Sequence, residues 1–188
     1  DLNITPGVTS GILIDGGAPN ITNATDPGDG MYQEGDNLDF TITYDENVIV
    51  TGTPRIQITL ATGTVYANYN SGTGTTALVF RYTVGSSDED TDGIVLNTTI
   101  DLNGGTIRDA NDNDADLTYT DPGTTNIDVD GIDPTISSVT APADGVYNNG
   151  SNMDFTVNFS ENVDVTGTPR LTITLNTGGT VYATYNSG

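Results

Sequence analysis

The chain repeats itself over a long interval. The stretch YQEGDNLDFTITYDENVIVTGTPRIQITLATGTVYANYNSG, beginning at Tyr32, returns as YNNGSNMDFTVNFSENVDVTGTPRLTITLNTGGTVYATYNSG at Tyr147, 115 residues later. The alignment slips by one residue at the extra glycine of Thr177-Gly178-Gly179. Ile14-Asp15-Gly16 and Val129-Asp130-Gly131 share the offset, as do Pro19 and Pro134. Such a period exceeds a solenoid turn or a propeller blade and matches an independent sandwich domain. The expected organisation is residues 1–18 as the last strand of a preceding repeat plus linker, 19–133 as a complete repeat, and 134–188 as the truncated first half of a following one. Asp1 opens the chain without a methionine, and neither a signal peptide nor a run of about 20 apolar residues is visible. The sequence thus reads as an excerpt from a longer polypeptide.

Within one repeat the apolar residues alternate with polar ones in short runs. Leu38, Phe40, Ile42 and Tyr44 fall on one face of a strand, and Ile56, Ile58 and Leu60 do the same. Further strands are expected near 21–24, 65–69, 77–84, 94–96, 106–108 and 126–130, separated by turn chemistry in DPGDG, TGTP, ATGT, NSGTG and LNGG. No segment carries a helical period. The fold class expected is all-β, a tandem of immunoglobulin-like Greek-key β-sandwiches.

Charge narrows function. The formal net charge is −22, and the four basic residues are all arginines, Arg55, Arg81, Arg108 and Arg170. Nucleic acid and anionic membrane surfaces are excluded as partners, since both need a basic footprint. Cysteine, histidine and lysine are absent, which removes disulfides, thiolate chemistry, imidazole metal sites and His-based triads. Self-repulsion on this scale strains a compact state, and divalent cations would relieve it.

Three acidic groups are candidate cation sites. Asp88, Asp90 and Asp92 stand at alternate positions before Gly93, the spacing by which carboxylates converge on a hard cation while glycine permits the turn. The twelfth position of that loop is Thr99, not the Glu an EF-hand requires, so this is half a calcium loop set between strands. The second group is Asp109, Asn111, Asp112 and Asp114, spelt D-x-N-D-N over 109–113 like the cadherin interdomain calcium motif. The third is Asp128, Asp130 and Asp133 at the junction of repeats, with Asp144, Asp154 and Glu161 as donors from the next unit and Asp29, Asp39 and Glu46 as their earlier counterparts. An all-oxygen donor set favours Ca2+ over zinc or copper, and millimolar extracellular calcium would fill weak sites. An outside location follows from the same reasoning. Solvated acidic loops and ordinary Asx turns are the competing readings of these clusters. Paired carboxylates could serve glycosidase chemistry, but these sit in loops and some recur with the repeat, which suits structure and argues against an enzyme. Tyr66 and Tyr69 are expected in cross-strand packing, and Arg55 and Arg170, each following TGTP, in pairs with carboxylates.

The motif order APADGVYNNGSNMDFTVNFSENVDVTGTPRLTITL, DEDTDGI, IDLNGGTIRDANDND and VDGIDPT resembles the tandem bacterial Ig-like repeats of large calcium-dependent surface adhesins, of the RTX or biofilm-associated kind. The resemblance implies an extender module on the cell surface, whose stacked sandwiches are stiffened by calcium and hold a distal binding domain away from the cell. Its partners would be neighbouring repeats of the same or identical chains. Ser151 stands where the first copy has Asp36, which puts any site using Asp36 in doubt in the second. Two alternatives follow from the half-length last repeat and from the tyrosines: the subunit of an extracellular filament whose neighbours cover the half-domain, and a carbohydrate-binding module.

Overall fold

The computed structural model describes residues 16–188. The strand expected from a preceding repeat falls on residues 1–15, outside the described residues. Two compact units divide between Ile132 and Asp133, where the expected boundary stood between Asp133 and Pro134. Every regular element among the described residues is a strand, so the chain is all-β.

The first unit contains β1 (Ile21–Thr25), β2 (Gly30–Gln33), β3 (Asn37–Thr51), β4 (Arg55–Leu60), β5 (Gly63–Ser71), β6 (Thr75–Thr83), β7 (Glu89–Asp90), β8 (Val95–Leu96), β9 (Thr106–Arg108) and β10 (Ile127–Asp130). The larger sheet runs β1-β3-β6-β5-β4-β8, with β9 on the far part of β3; the smaller runs β2-β10-β7. Since β3 lies beside β6, the last strand of the β4–β5–β6 meander, the connectivity is compatible with the Greek key of an immunoglobulin-like sandwich.

Alternation decides what is buried. Leu38, Phe40, Ile42 and Tyr44 of β3 face inward with Ile56, Ile58 and Leu60 of β4 and with Leu78 and Phe80 of β6. Phe40 and Phe80 are direct cross-strand partners, and Tyr69 of β5 meets Phe80 edge-on with ring centroids 6.2 Å apart. Ile94, Ile100, Ile107, Ile127 and Val129 close the core. The tyrosine hydroxyls at its margin are satisfied, Tyr44 donating to the Asp116 carbonyl at 3.1 Å and Tyr119 to the Asn97 carbonyl at 2.8 Å. Among the described residues no buried side-chain polar atom lacks a partner.

Two strands were not foreseen. β2 (GMYQ) and β7 (ED) are too short to show a period. Both exist because β10 pairs with β2 in parallel and with β7 antiparallel. The acidic segment at 88–92 is therefore partly strand rather than all loop.

The second unit holds β11 (Ile136–Thr140), β12 (Thr156–Phe159), β13 (Arg170–Leu175) and β14 (Gly179–Thr184), paired as β11-β12 and β13-β14. It reuses the registers of the first: Val139 faces Val157 as Ala24 faces Ile42, and Ile173 faces Val181 as Ile58 faces Val65. Every residue of this unit is half-buried or exposed.

Phe40 sits at the middle of the first unit's core, so Phe40→Ala should destabilise that unit by about 3–5 kcal/mol. Denaturant unfolding followed by tyrosine fluorescence would register the change.

Candidate functional site

A chain this acidic has to find donors for its carboxylates, and the structure shows where it finds them. Three of the four arginines form ion pairs: Arg55 with Asp101 at 2.8 Å, Arg81 with Asp39 at 2.6 Å and Arg108 with Asp114 at 2.6 Å. The Arg81–Asp39 pair is bidentate across β3 and β6. The Arg81 hydrogen bonds hold the Asp39 carboxyl below its ordinary range, against a smaller opposing effect of burial. Asp101 is lowered in the same way by Arg55.

Backbone amides supply most of the rest. Asp26, Asp101, Asp116 and Asp121 each accept from the N–H two residues on, at 2.7–3.0 Å. That is the Asx turn, which lets an aspartate satisfy itself from its own backbone.

The first predicted group is dispersed by this chemistry. Asp88 is buried and accepts from the Tyr82 hydroxyl and from the Gly85 N–H at 2.7 Å. Burial, and then the Asp88 hydrogen bond, push the Tyr82 hydroxyl above its usual pKa. Asp90, also buried, accepts from Ala61 N–H at 2.9 Å through one oxygen and from Asp92 N–H at 3.4 Å through the other. Asp92 is exposed. Gly93 has φ of +95°, and a Cβ there would stand 2.4 Å from the Thr125 carbonyl oxygen. Its freedom is used to bring residues 93–94 against the 124–127 turn, where Ile94 N–H donates to Ile127 at 3.1 Å.

The second group closes on Asp109. This buried carboxylate accepts from the backbone N–H groups of Asn111 and Asn113, both at 2.8 Å, and from the Asn113 side-chain amide at 2.7 Å. Burial alone would raise its pKa, but the three donors together hold it below the ordinary value. Asp112 takes the left-handed conformation at φ 66°, and Asp114 is turned to Arg108. The D-x-N-D-N spelling is here a tight, self-satisfied loop.

The third group is divided between units. Asp128 and Asp130 alternate on β10 with the inward Ile127 and Val129, whereas Asp133 opens the second unit. Asp130 accepts from Ile132 N–H at 3.3 Å and stands opposite Glu89 across the β7–β10 pair. Glu46 is half-buried on β3, Glu161 is exposed in the bend after β12, and Asp144 and Asp154 are exposed in the second unit. Asp29 accepts from the Asn126 amide at 3.2 Å. Among the described residues no group of three or more acidic side chains is arranged to hold a metal ion.

The expected partner of Arg55 is Asp101. Arg170 instead lies over the Tyr182 ring at 4.0 Å, as Arg55 also lies over Tyr66 at 3.9 Å. Sequence reading missed Tyr82 with Asp88, Ala61 with Asp90, and Asp45, which accepts from Asn20 N–H at 2.8 Å. Only the Arg81–Asp39 pair had a usable signal, since both lie on strands whose facing runs alternate. The chain matches no protein-family profile, no curated protein and no solved structure.

Asp88→Ala should cost about 1–3 kcal/mol, because it leaves the Tyr82 hydroxyl and the Gly85 amide without their acceptor; chemical denaturation against the parent measures it. Asp39→Asn should show a pH signature. The carboxylate's pKa is lowered in the folded state, so its stabilisation is full above the ordinary aspartate value of 3.8 and is lost as pH falls through the folded value. The stability gap between parent and variant should narrow on acidification below that point.

Proposed function

We propose that this chain is a structural extender repeat of an extracellular bacterial surface adhesin, a non-catalytic spacer that holds a binding domain away from the cell. The observation that carries the reading is the reuse of one set of strand registers in two successive units. Repeated scaffolding is what a spacer needs, whereas an active site needs to be built only once. The polar chemistry points the same way. The buried carboxylates, Asp88, Asp90 and Asp109, are engaged by donors of the fold itself and are not converging on a shared cavity. The tyrosines of the first unit support a spacer over a carbohydrate platform: Tyr44 and Tyr119 are buried, Tyr69 packs on Phe80, and Tyr66 lies under Arg55.

Calcium enters this proposal as a counter-charge. Glu89 and Asp130 are like charges placed directly opposite each other on neighbouring strands, an arrangement that destabilises a sheet. Divalent cations collecting at this outer face, with Asp128 on the same strand, would relieve the repulsion and stiffen the edge. Thermal unfolding should therefore shift upward by a few degrees in calcium at about the millimolar extracellular level, relative to excess chelator. Coincident curves would remove the cation from the reading. Glu89→Gln should raise stability by about 0.2–1 kcal/mol at low salt, and the gain should shrink when calcium is present.

The spacer role has its own test. Tandem copies inserted between a surface anchor and a reporter binding domain should lengthen reach in step with copy number and leave binding specificity unchanged. Reach indifferent to copy number would overturn the role.

A further inference from the structure

The last strand of the first unit lies parallel to one of its earliest. β10 pairs with β2 in the register Ile127 with Gly30, Asp128 with Met31, Val129 with Tyr32 and Asp130 with Gln33. The ladder begins where Gly30 N–H donates to the Asn126 carbonyl at 3.0 Å. Every other strand pair among the described residues is antiparallel. The shared direction matters because of where the chain joins on. Residues before Gly30 meet β2 at its N-terminal end, and residues after Asp130 leave β10 at its C-terminal end. Tension along the chain therefore draws the two strands toward opposite ends of one ladder. The evenly spaced, slanted bonds of a parallel pair are then strained together, in shear. Strands drawn apart from the same end of a ladder give up their bonds one after another.

The ends of this ladder are fastened as well. β2 closes in a turn where Asp36 N–H donates to the Gln33 carbonyl at 3.0 Å and Gln33 N–H to the Asp36 carboxylate at 2.9 Å. In the same turn Gly35 N–H donates to the Val84 carbonyl at 2.9 Å. Where β10 ends, Gly131 N–H donates to the Asp88 carbonyl at 2.8 Å, and a Cβ at Gly131 would stand 2.1 Å from the Gly85 carbonyl oxygen. The buried Asp88 carboxylate in turn accepts from Tyr82 and from Gly85 N–H, which fixes the segment that grips the exit. β7 holds the other edge of β10. Ile127 and Val129 are fully buried, so sliding β10 along its axis also drags two apolar side chains through the core. β1 stands ahead of β2 and pairs with β3 alone. Its release frees residues 19–29 and leaves the β2–β10 ladder in place.

We propose that the β2–β10 pair is a mechanical clamp, which sets the force at which the first unit opens under end-to-end tension. The small sheet thereby has a task of its own: it ties the incoming and outgoing chain together, while the larger sheet carries most of the core. A spacer stretched between a cell and a bound surface would meet such a load. The clamp is a property of this unit's fold and holds whether or not the chain acts as a spacer.

The test is single-molecule stretching of the full chain through pairs of introduced cysteines, which are unique handles because the chain has no cysteine of its own. Ala18→Cys with Asp133→Cys loads the first unit along the chain and puts β2 and β10 in shear. Asp29→Cys with Thr125→Cys pulls from the N-terminal ends of both strands and peels them apart. All four positions are exposed. Forced opening is governed by the barrier to unfolding and not by equilibrium stability, so one fold should give two forces. The shear geometry should need several times the force of the peeling geometry at equal pulling speed. Gly30 and Tyr32 share the side of β2 whose N–H groups face β10. In the shear geometry Tyr32→Ala reports the loss of the side chain, and Tyr32→Pro removes the ladder donor as well. The proline variant should open at a clearly lower force than the alanine variant. Equal forces in the two pulling geometries would overturn the proposal, with no dependence on how either variant folds. A folded proline variant as resistant as the alanine variant would overturn it too.

Discussion

The structure depends most on the placement of β6 between β3 and β5. β3 carries the inward run Leu38, Phe40, Ile42 and Tyr44, and β5 follows from β4 with its own inward set; β6 is what makes them one sheet. Its contribution is not only backbone pairing. Phe80 stands in register with Phe40 and meets the Tyr69 ring edge-on, and the next residue, Arg81, holds Asp39 in a bidentate pair. The second unit pairs β11 with β12 and β13 with β14 in the registers that the first unit uses, so local sequence is enough to set strand pairing.

A second constraint is charge. With four arginines against 26 acidic residues, side-chain cations cannot serve the carboxylates, and lysine is absent. The fold draws on its own amides. An aspartate at the start of a turn accepts from the N–H two residues later, which neutralises no charge but stabilises the ionised form by hydrogen bonding. Asp109 shows the limit of this device: a buried carboxylate with no cation, held below its ordinary pKa by one asparagine and its neighbours' amides. Such turns are local, so each repeat can satisfy its own acids. What they leave unsolved is repulsion between strands, as at Glu89 and Asp130, and there an external counter-charge has most to offer.

Much of the fold was legible because period-two alternation survives in the long strands. The runs at 38–44 and 55–60 bury the residues that alternation assigns inward. β2 and β7 were not legible, since two to four residues carry no period and their strand character is conferred by β10. The acidic groups were legible as turns but not in their partners. D-x-D-x-D-G describes carboxylates free to converge on a cation and equally carboxylates claimed by nearby donors. The difference lies with Tyr82, Gly85 and Ala61, and Ala61 donates through its backbone, so side-chain chemistry gives no hint of it. Arg55 makes the same point: its carboxylate partner, Asp101, lies 46 residues further along the chain, beyond what the TGTP context can show.

Similar repeats in one chain carry a hazard, because strands of one unit can fit the register of the next and misassembly follows from the same pairing that folds each unit. The distribution of charge opposes this. β7 is an edge strand of the small sheet and puts Glu89 there, and a charge on a sheet edge disfavours pairing with another chain of the same kind. β6, by contrast, carries an arginine and is the strand that must find its place between β3 and β5. In a background of net charge −22, that single cation on an otherwise neutral strand stands in register opposite Asp39 of β3. Acidity elsewhere thus gives Arg81, the one charged residue of β6, a specific partner: the register of β6 on β3 brings it to Asp39, where the pair is bidentate.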